Sequence, residues 1–175
     1  MTIANTEEIA QAVHANELDV GLVEGEVEFS EIQVKPPFME DEMVLVAPSD
    51  HPLTSEKTIE THMLQDQVWV YREQGSGTKA FSDHFILDLG LRVKRSFVFN
   101  SNQGVKEAVV AGLGIAMLSR WVIRKELESG ELHSIQVQGA QTKFTRPFYV
   151  LQDTKSSLGT MAVKIFIQKL RQLEM

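Results

Sequence analysis

The 175-residue chain reads as an α/β protein of two lobes. Strand-like apolar runs alternate with amphipathic helical patterns along the whole length. Two strand, polar turn, helix units follow one another between Val68 and Gly112, which argues for a parallel sheet with right-handed crossovers. Met43-Val44-Leu45-Val46-Ala47 is a nearly continuous apolar run, of the kind found where both faces of a sheet are covered.

The first helix is expected after Asn5, with Glu8 at capping-box spacing and Ile9, Ala12 and Val13 as its apolar stripe. Leu18 to Val23 reads as a strand, and Phe38 to Val46 as another, closed by Pro48 and the Ser49-Asp50-His51-Pro52 turn. A short helix is expected over Ile59 to Leu64, then the strand Val68-Trp69-Val70-Tyr71. After Gly75-Ser76-Gly77-Thr78 comes a helix with Phe81, Phe85, Ile86 and Leu89 inward and Gly90 as its left-handed stop. The pattern repeats with Ser96 to Phe99, the turn Asn100-Ser101-Asn102-Gln103, a helix from Val105 to Ala111, the stop Gly112 and the strand Ile115 to Leu118. A helix around Trp121 to Leu127, a strand around Leu132 to Val137, a polar loop over Gly139 to Thr145 and a strand over Phe148 to Leu151 complete the order. The last helix opens near Ser157 and carries Ala162, Ile165, Phe166, Leu170 and Leu173 on one stripe.

Composition removes several functions. Without cysteine there is no disulfide framework, thiolate zinc site or cysteine nucleophile, which suits a reducing cytoplasm. No window resembles a membrane span, and the start lacks a basic-then-apolar signal peptide. Residues 1–66 hold 15 acidic side chains against Lys35 and Lys57 alone, while residues 67–175 hold 15 basic against 9 acidic, and these are dispersed. A duplex-binding face needs clustered cations, so this chain is not expected to bind DNA by itself.

Enzyme chemistry finds no support either. His14, His51, His62, His84 and His133 never fall at the spacing that places two imidazoles on one helix face, so no metal is expected. Gly75-Ser76-Gly77-Thr78-Lys79 lacks the spacing of a phosphate loop, and Ser76 is flanked too closely by glycine for a nucleophile elbow. No cofactor is called for. The two polar turns are the better lead. Each stands between a strand's carboxyl end and a helix N-terminus, where free N–H groups and the macrodipole favour an anion, and open α/β sheets bind ligands along that edge. Ser76 or Thr78, and Ser101 or Asn102, would equally serve as plain helix caps. Two such turns on one edge beside Arg72, a candidate carboxylate partner, point to a small-anion site.

Five stretches in order carry a family resemblance: Asn5 to Ile9, Glu17 to Gly25, Met43 to Leu53, Arg72 to Thr78 and Ala111 to Ser119. Together they resemble the effector-binding domain of LysR-type transcriptional regulators, over essentially the whole chain. The resemblance implies a type 2 periplasmic-binding-protein-like fold, two α/β lobes joined by two crossover strands with a small-molecule effector in the cleft. It assigns residues 1–68 and 147–175 to one lobe and 69–146 to the other. It implies effector contacts from Ser76, Gly77 and Thr78, from Ser101 and Asn102, and from the strand end at Ala47 and Pro48, with Thr6 as a further candidate whose turn serves equally as a cap.

Two departures accompany the resemblance. The family's helix-turn-helix is absent, and Met1-Thr2-Ile3-Ala4 aligns near the end of the effector domain's second strand. The chain is therefore expected to be a fragment whose first lobe is incomplete, rearranged or completed by a neighbouring molecule. The expected function is effector sensing by a bacterial regulator, with a homodimer or larger oligomer as the working form and DNA reached only through the absent module. A solute-binding protein that delivers a small anion to a transporter is the alternative reading.

Overall fold

A computed structural model of the chain describes residues 1–25, 32–34, 37–139, 144–153 and 161–172. The chain divides into two compact units: Met1–Glu40, Gly75–Gly77 and Arg146–Met175 in unit 1, and Asp41–Gln74 with Thr78–Thr145 in unit 2. The sequence placed the first boundary after residue 68. Residues 41–68 group with unit 2, where Met43–Val46 pair with Ala116–Ser119 and Val46–Pro48 with Leu132–Ser134. The second boundary differs by one residue.

Unit 1 begins with α1 (Thr6–His14). Asn5 Oδ1 accepts from Glu8 N–H at 2.9 Å and Glu8 returns a bond to Asn5 N–H, so the expected capping box is present. β1 (Gly21–Glu24) and β2 (Ile32–Val34) pair antiparallel with the long C-terminal strand Phe144–Asp153, numbered β8 below. Leu151 has both Gly21 and Val34 as register partners, so β8 lies between the two. Among the described residues, Ile9, Ala10, Val13, Val23 and Leu151 form a core cluster of this unit.

Unit 2 is built on β3 (Met39–Pro48), α2 (His62–Gln65), β4 (Val68–Arg72), α3 (Gly77–Asp88), β5 (Arg95–Phe99), α4 (Asn102–Val110), β6 (Ala116–Ser119), α5 (Arg124–Ser129) and β7 (Leu132–Ser134). The two strand, turn, helix units lie as expected, with β4 and β5 parallel in register from Val68 opposite Arg95 to Arg72 opposite Phe99. β4 also meets the start of β6, where Val70 N–H donates to Ile115 O and Ile115 N–H to Val68 O, both at 2.9 Å. β3 runs antiparallel to both β6 and β7. The spatial order is therefore β7, β3, β6, β4, β5.

Alternation along these strands feeds two separate cores. Met43, Leu45, Ala47, Trp69, Tyr71, Ile115 and Met117 enter the cluster that Phe85 of α3 and Leu64 of α2 cover. Val44, Val46, Val70, Ala116 and Leu118 enter the other, covered by Val105, Ala108 and Val109 of α4 and by Ile123. Both faces are buried, which is why the sequence runs apolar without a break.

Several boundaries differ from the sequence reading. Ile59 forms a parallel bridge to Val137 instead of opening a helix, so α2 starts three residues later. β1 is shorter than the Leu18 to Val23 run and ends one residue beyond it. The loop expected over Gly139 to Thr145 lies outside the described residues at 140–143, and β8 already begins at Phe144. α6 (Met161–Arg171) buries Val163, whereas Ile165 and Phe166 of the expected stripe are exposed. The opening near Ser157 and Leu173 lie outside the described residues.

Candidate functional site

β4, β5 and β6 point the same way, so Arg72, Phe99 and Ser119 end on one edge of the unit 2 sheet. At that edge Glu73 N–H donates to Phe99 O at 3.0 Å, and both α3 and α4 begin there. This puts Thr78 and Asn102 together. Thr78 Oγ1 lies 3.4 Å from Asn102 Oδ1. Arg72 Nη1 donates to that same oxygen at 2.9 Å. Arg72 does not hold its fork open, because Nε and Nη2 donate to Glu73 Oε2 and Oε1 at 2.7 and 2.8 Å. The candidate carboxylate partner thus already has a carboxylate, one residue along the chain.

The cap-or-ligand alternatives resolve differently at the two turns. Ser101 caps α4, its Oγ accepting from Gly104 N–H at 3.0 Å from an exposed position. Ser76 is only 3% exposed, and its hydroxyl makes no hydrogen bond among the described residues. The turn that carries it is held tightly within unit 1. Gly75 has φ +85°, its carbonyl accepts from Glu7 N–H at 3.1 Å, and a Cβ on Gly77 would stand 2.2 Å from Glu24 O. Such an approach admits only glycine. Thr6 serves the same corner structurally, its hydroxyl donating to Glu24 O at 3.1 Å, while capping falls to Asn5.

Ala47 and Pro48 are not brought to this edge. Met43 pairs with Ser119 and Val46 with Ala116, so β3 runs against β6 and its carboxyl end lies at the opposite edge, where Ala47 is core and Pro48 pairs with Leu132. The resemblance implied effector contacts from this strand end, and the pairing sets it away from the turns at Ser76 and Ser101. What β3 does bring to the edge is its beginning. Buried Asp41 accepts from Ser119 Oγ at 2.6 Å, and Glu42 pairs with Arg120 at 3.0 Å.

The sequence reading also missed Glu73, Asp41 and Arg146. Arg146 is buried in unit 1, 3.5 Å from Glu24 and with its guanidinium over the Phe148 ring. Beside Arg72, burial and the Asp83 charge push the Tyr71 hydroxyl far above its ordinary range, and Lys79 sits 4.8 Å over its ring. Tyr71 stays neutral at the edge of the site. Among the described residues, no helix is long and apolar enough to cross a membrane.

A doubly covered α/β unit with polar groups gathered at the carboxyl edge defines a small-molecule-binding domain. The chain belongs to the LysR substrate binding domain family, whose model matches residues 1–174. Its fold is accordingly the type 2 periplasmic-binding-protein-like α/β fold. The HTH-type transcriptional regulator CysL of Bacillus subtilis (strain 168) is 45% identical over 141 residues, 81% of this chain and 47% of CysL. A RuBisCO operon transcriptional regulator of Acidithiobacillus ferrooxidans is 38% identical over 137 residues, 78% of this chain and 44% of its own. The chain spans about half the length of the curated relatives it matches. Among solved structures, the Synechocystis PCC6803 CcmR regulatory domain in complex with 2-PG superposes with TM-score 0.83 and 27% identity, covering 97% of this chain and 80% of that one. The QuiR effector binding domain in complex with shikimate shares the fold at TM-score 0.82 and 15% identity, covering 98% and 78%.

Proposed function

We propose that this chain senses a small anionic effector, and that within a longer LysR-type regulator this sensing biases the DNA-binding geometry. The observation that carries the reading is the polar cluster at the starts of α3 and α4, where Asn102 Oδ1 accepts from Arg72 Nη1 at 2.9 Å and stands 3.4 Å from Thr78 Oγ1. The relatives support the regulatory setting, and the 2-PG bound by the CcmR domain supports an anion. Such a domain binds and does not catalyse, needs no cofactor, and works in the cytoplasm, where the regulator's DNA is.

The effector contacts in this reading are Ser76, Gly77, Thr78 and Asn102, with Ser101 shaping the second turn as its cap. The working form is a homodimer or larger. Phe97 and Val98 are 50% and 60% exposed on β5, whose one strand partner among the described residues is β4, leaving an edge for another copy. A monomer in sedimentation at tens of micromolar, about where a standard-sized interface is populated, would contradict this. The effector class is tested by calorimetric titration of the chain with inorganic phosphate, 2-PG and neutral glucose. Binding of the anions but not of glucose is expected, and glucose binding as tight as phosphate would overturn the reading.

A further inference from the structure

The geometry points to Arg72 as a positioning residue that locks the Asn102 side-chain amide with its nitrogen toward the bound anion. The assignment rests on the anion-binding reading above. A guanidinium can only donate hydrogen bonds, so the Asn102 atom 2.9 Å from Arg72 Nη1 has to be the oxygen. Thr78 Oγ1 approaches that oxygen as well. The amide is planar with two branches, and with Oδ1 fixed on Arg72 the other branch is Nδ2, a pure donor. Among the described residues Nδ2 donates to nothing.

Glu73 completes the device. Its carboxylate occupies both Nε and Nη2 of Arg72, in a pair whose side chains are 10% and 26% exposed. The cationic fork that would otherwise grip a carboxylate directly is filled, and the pair is neutral. Arg72 therefore reaches the ligand through Asn102, and the donor presented is uncharged. This asks for an acceptor atom of the ligand at that point, which every oxygen of a carboxylate or phosphate supplies. A donor-only group such as an ammonium would meet the Nδ2 N–H groups and be refused, because the amide cannot turn over without facing nitrogen to guanidinium.

The test uses the 15N-labelled 175-residue chain with inorganic phosphate as probe. The Asn102 side-chain amide pair is assigned in two-dimensional NMR by its loss in Asn102→Asp. In the unaltered chain this pair should shift and saturate with phosphate. Arg72→Lys keeps a donor-only group at the oxygen and should bind within about threefold of the parent. The double variant Arg72→Met with Glu73→Gln leaves the local net charge at zero while removing the lock, and should bind about 10–100-fold more weakly, as for a lost bond to a charged group. Asn102→Asp, whose carboxylate still accepts from Arg72, should stay folded and lose phosphate binding, which keeps the assignment testable should the double variant not fold. Full-strength binding by the double variant or by Asn102→Asp, with the parent binding normally, would overturn the positioning role alone. An Asn102 pair that never moves in the parent would overturn it together with the anion reading.

Discussion

The two units solve the burial problem differently. In unit 2 every central strand is covered twice, with odd residues of β3 in one core and even residues in the other. In unit 1 the cluster among the described residues is five fully or nearly buried side chains on α1, β1 and β8, while Met161, Ile165 and Phe166 of α6 stay exposed. The difference teaches where the site obtains its rigidity. Arg72, Thr78 and Asn102 extend from elements packed on both sides of the unit 2 sheet, so their spacing is fixed by the core and not by loops. Ser76 depends on a three-residue turn fastened to unit 1 by Gly75 and Gly77.

That contrast breaks first under equal core deletions. Leu118 in unit 2 and Leu151 in unit 1 are both fully buried. Leu118→Ala is expected near the upper end of the range of about 2–5 kcal/mol for such truncations, because its neighbours are held on both faces and the cavity stays open. Leu151→Ala should fall near the lower end, where a small cluster can close in. Urea denaturation followed by tryptophan fluorescence and circular dichroism reads both, and equal losses would remove the distinction.

A smaller effect sharpens it. Lys106 of α4 reaches Glu126 of α5 at 2.5 Å with both side chains mostly buried, and Glu126 Oε2 has no partner among the described residues. Burial alone would raise the Glu126 carboxyl, but the Lys106 bond and charge outweigh it and hold it below the ordinary range. A carboxyl depressed in the folded state contributes stability at neutral pH and loses it as pH falls through that depressed value. Lys106→Met should then cost about 3 kcal/mol at pH 7, since it strands a buried charge, and less near pH 4, where the stranded carboxyl is protonated. A loss independent of pH would show that packing, and not charge, joins the two helices.

Much of this architecture is legible because it is local. Asn5 with Glu8 marks the start of α1, and Gly90 and Gly112 mark helix ends at φ +63° and +82°. The parallel β4 and β5 follow from two repeated units. Strand direction is not local, so the edge at which Ala47 and Pro48, implied by the resemblance, end is not legible in the sequence: the antiparallel course of β3 shows only in its pairing with Ser119 and Ala116. The bond between Arg72 and Glu73 escaped for a related reason. Neighbouring side chains along a strand point to opposite faces, but β4 ends at Arg72, and Glu73 is released to fold back on it. The stripe of α6 has helical periodicity, yet periodicity does not tell which stripe a neighbouring element covers.

Ser76 separates a binding site from a pair of helix caps. Phosphate affinity and thermal stability should be measured on Ser76→Ala beside Thr78→Ala and the parent chain, by calorimetric titration and differential scanning calorimetry. Because the Ser76 hydroxyl bonds to nothing in the protein among the described residues, its removal should leave stability within about 0.5 kcal/mol while weakening phosphate by about 10-fold or more. Thr78→Ala should weaken phosphate comparably and cost somewhat more stability. Unchanged affinity in both variants, with a melting temperature lowered as for a lost cap of about 1 kcal/mol, would contradict the anion site.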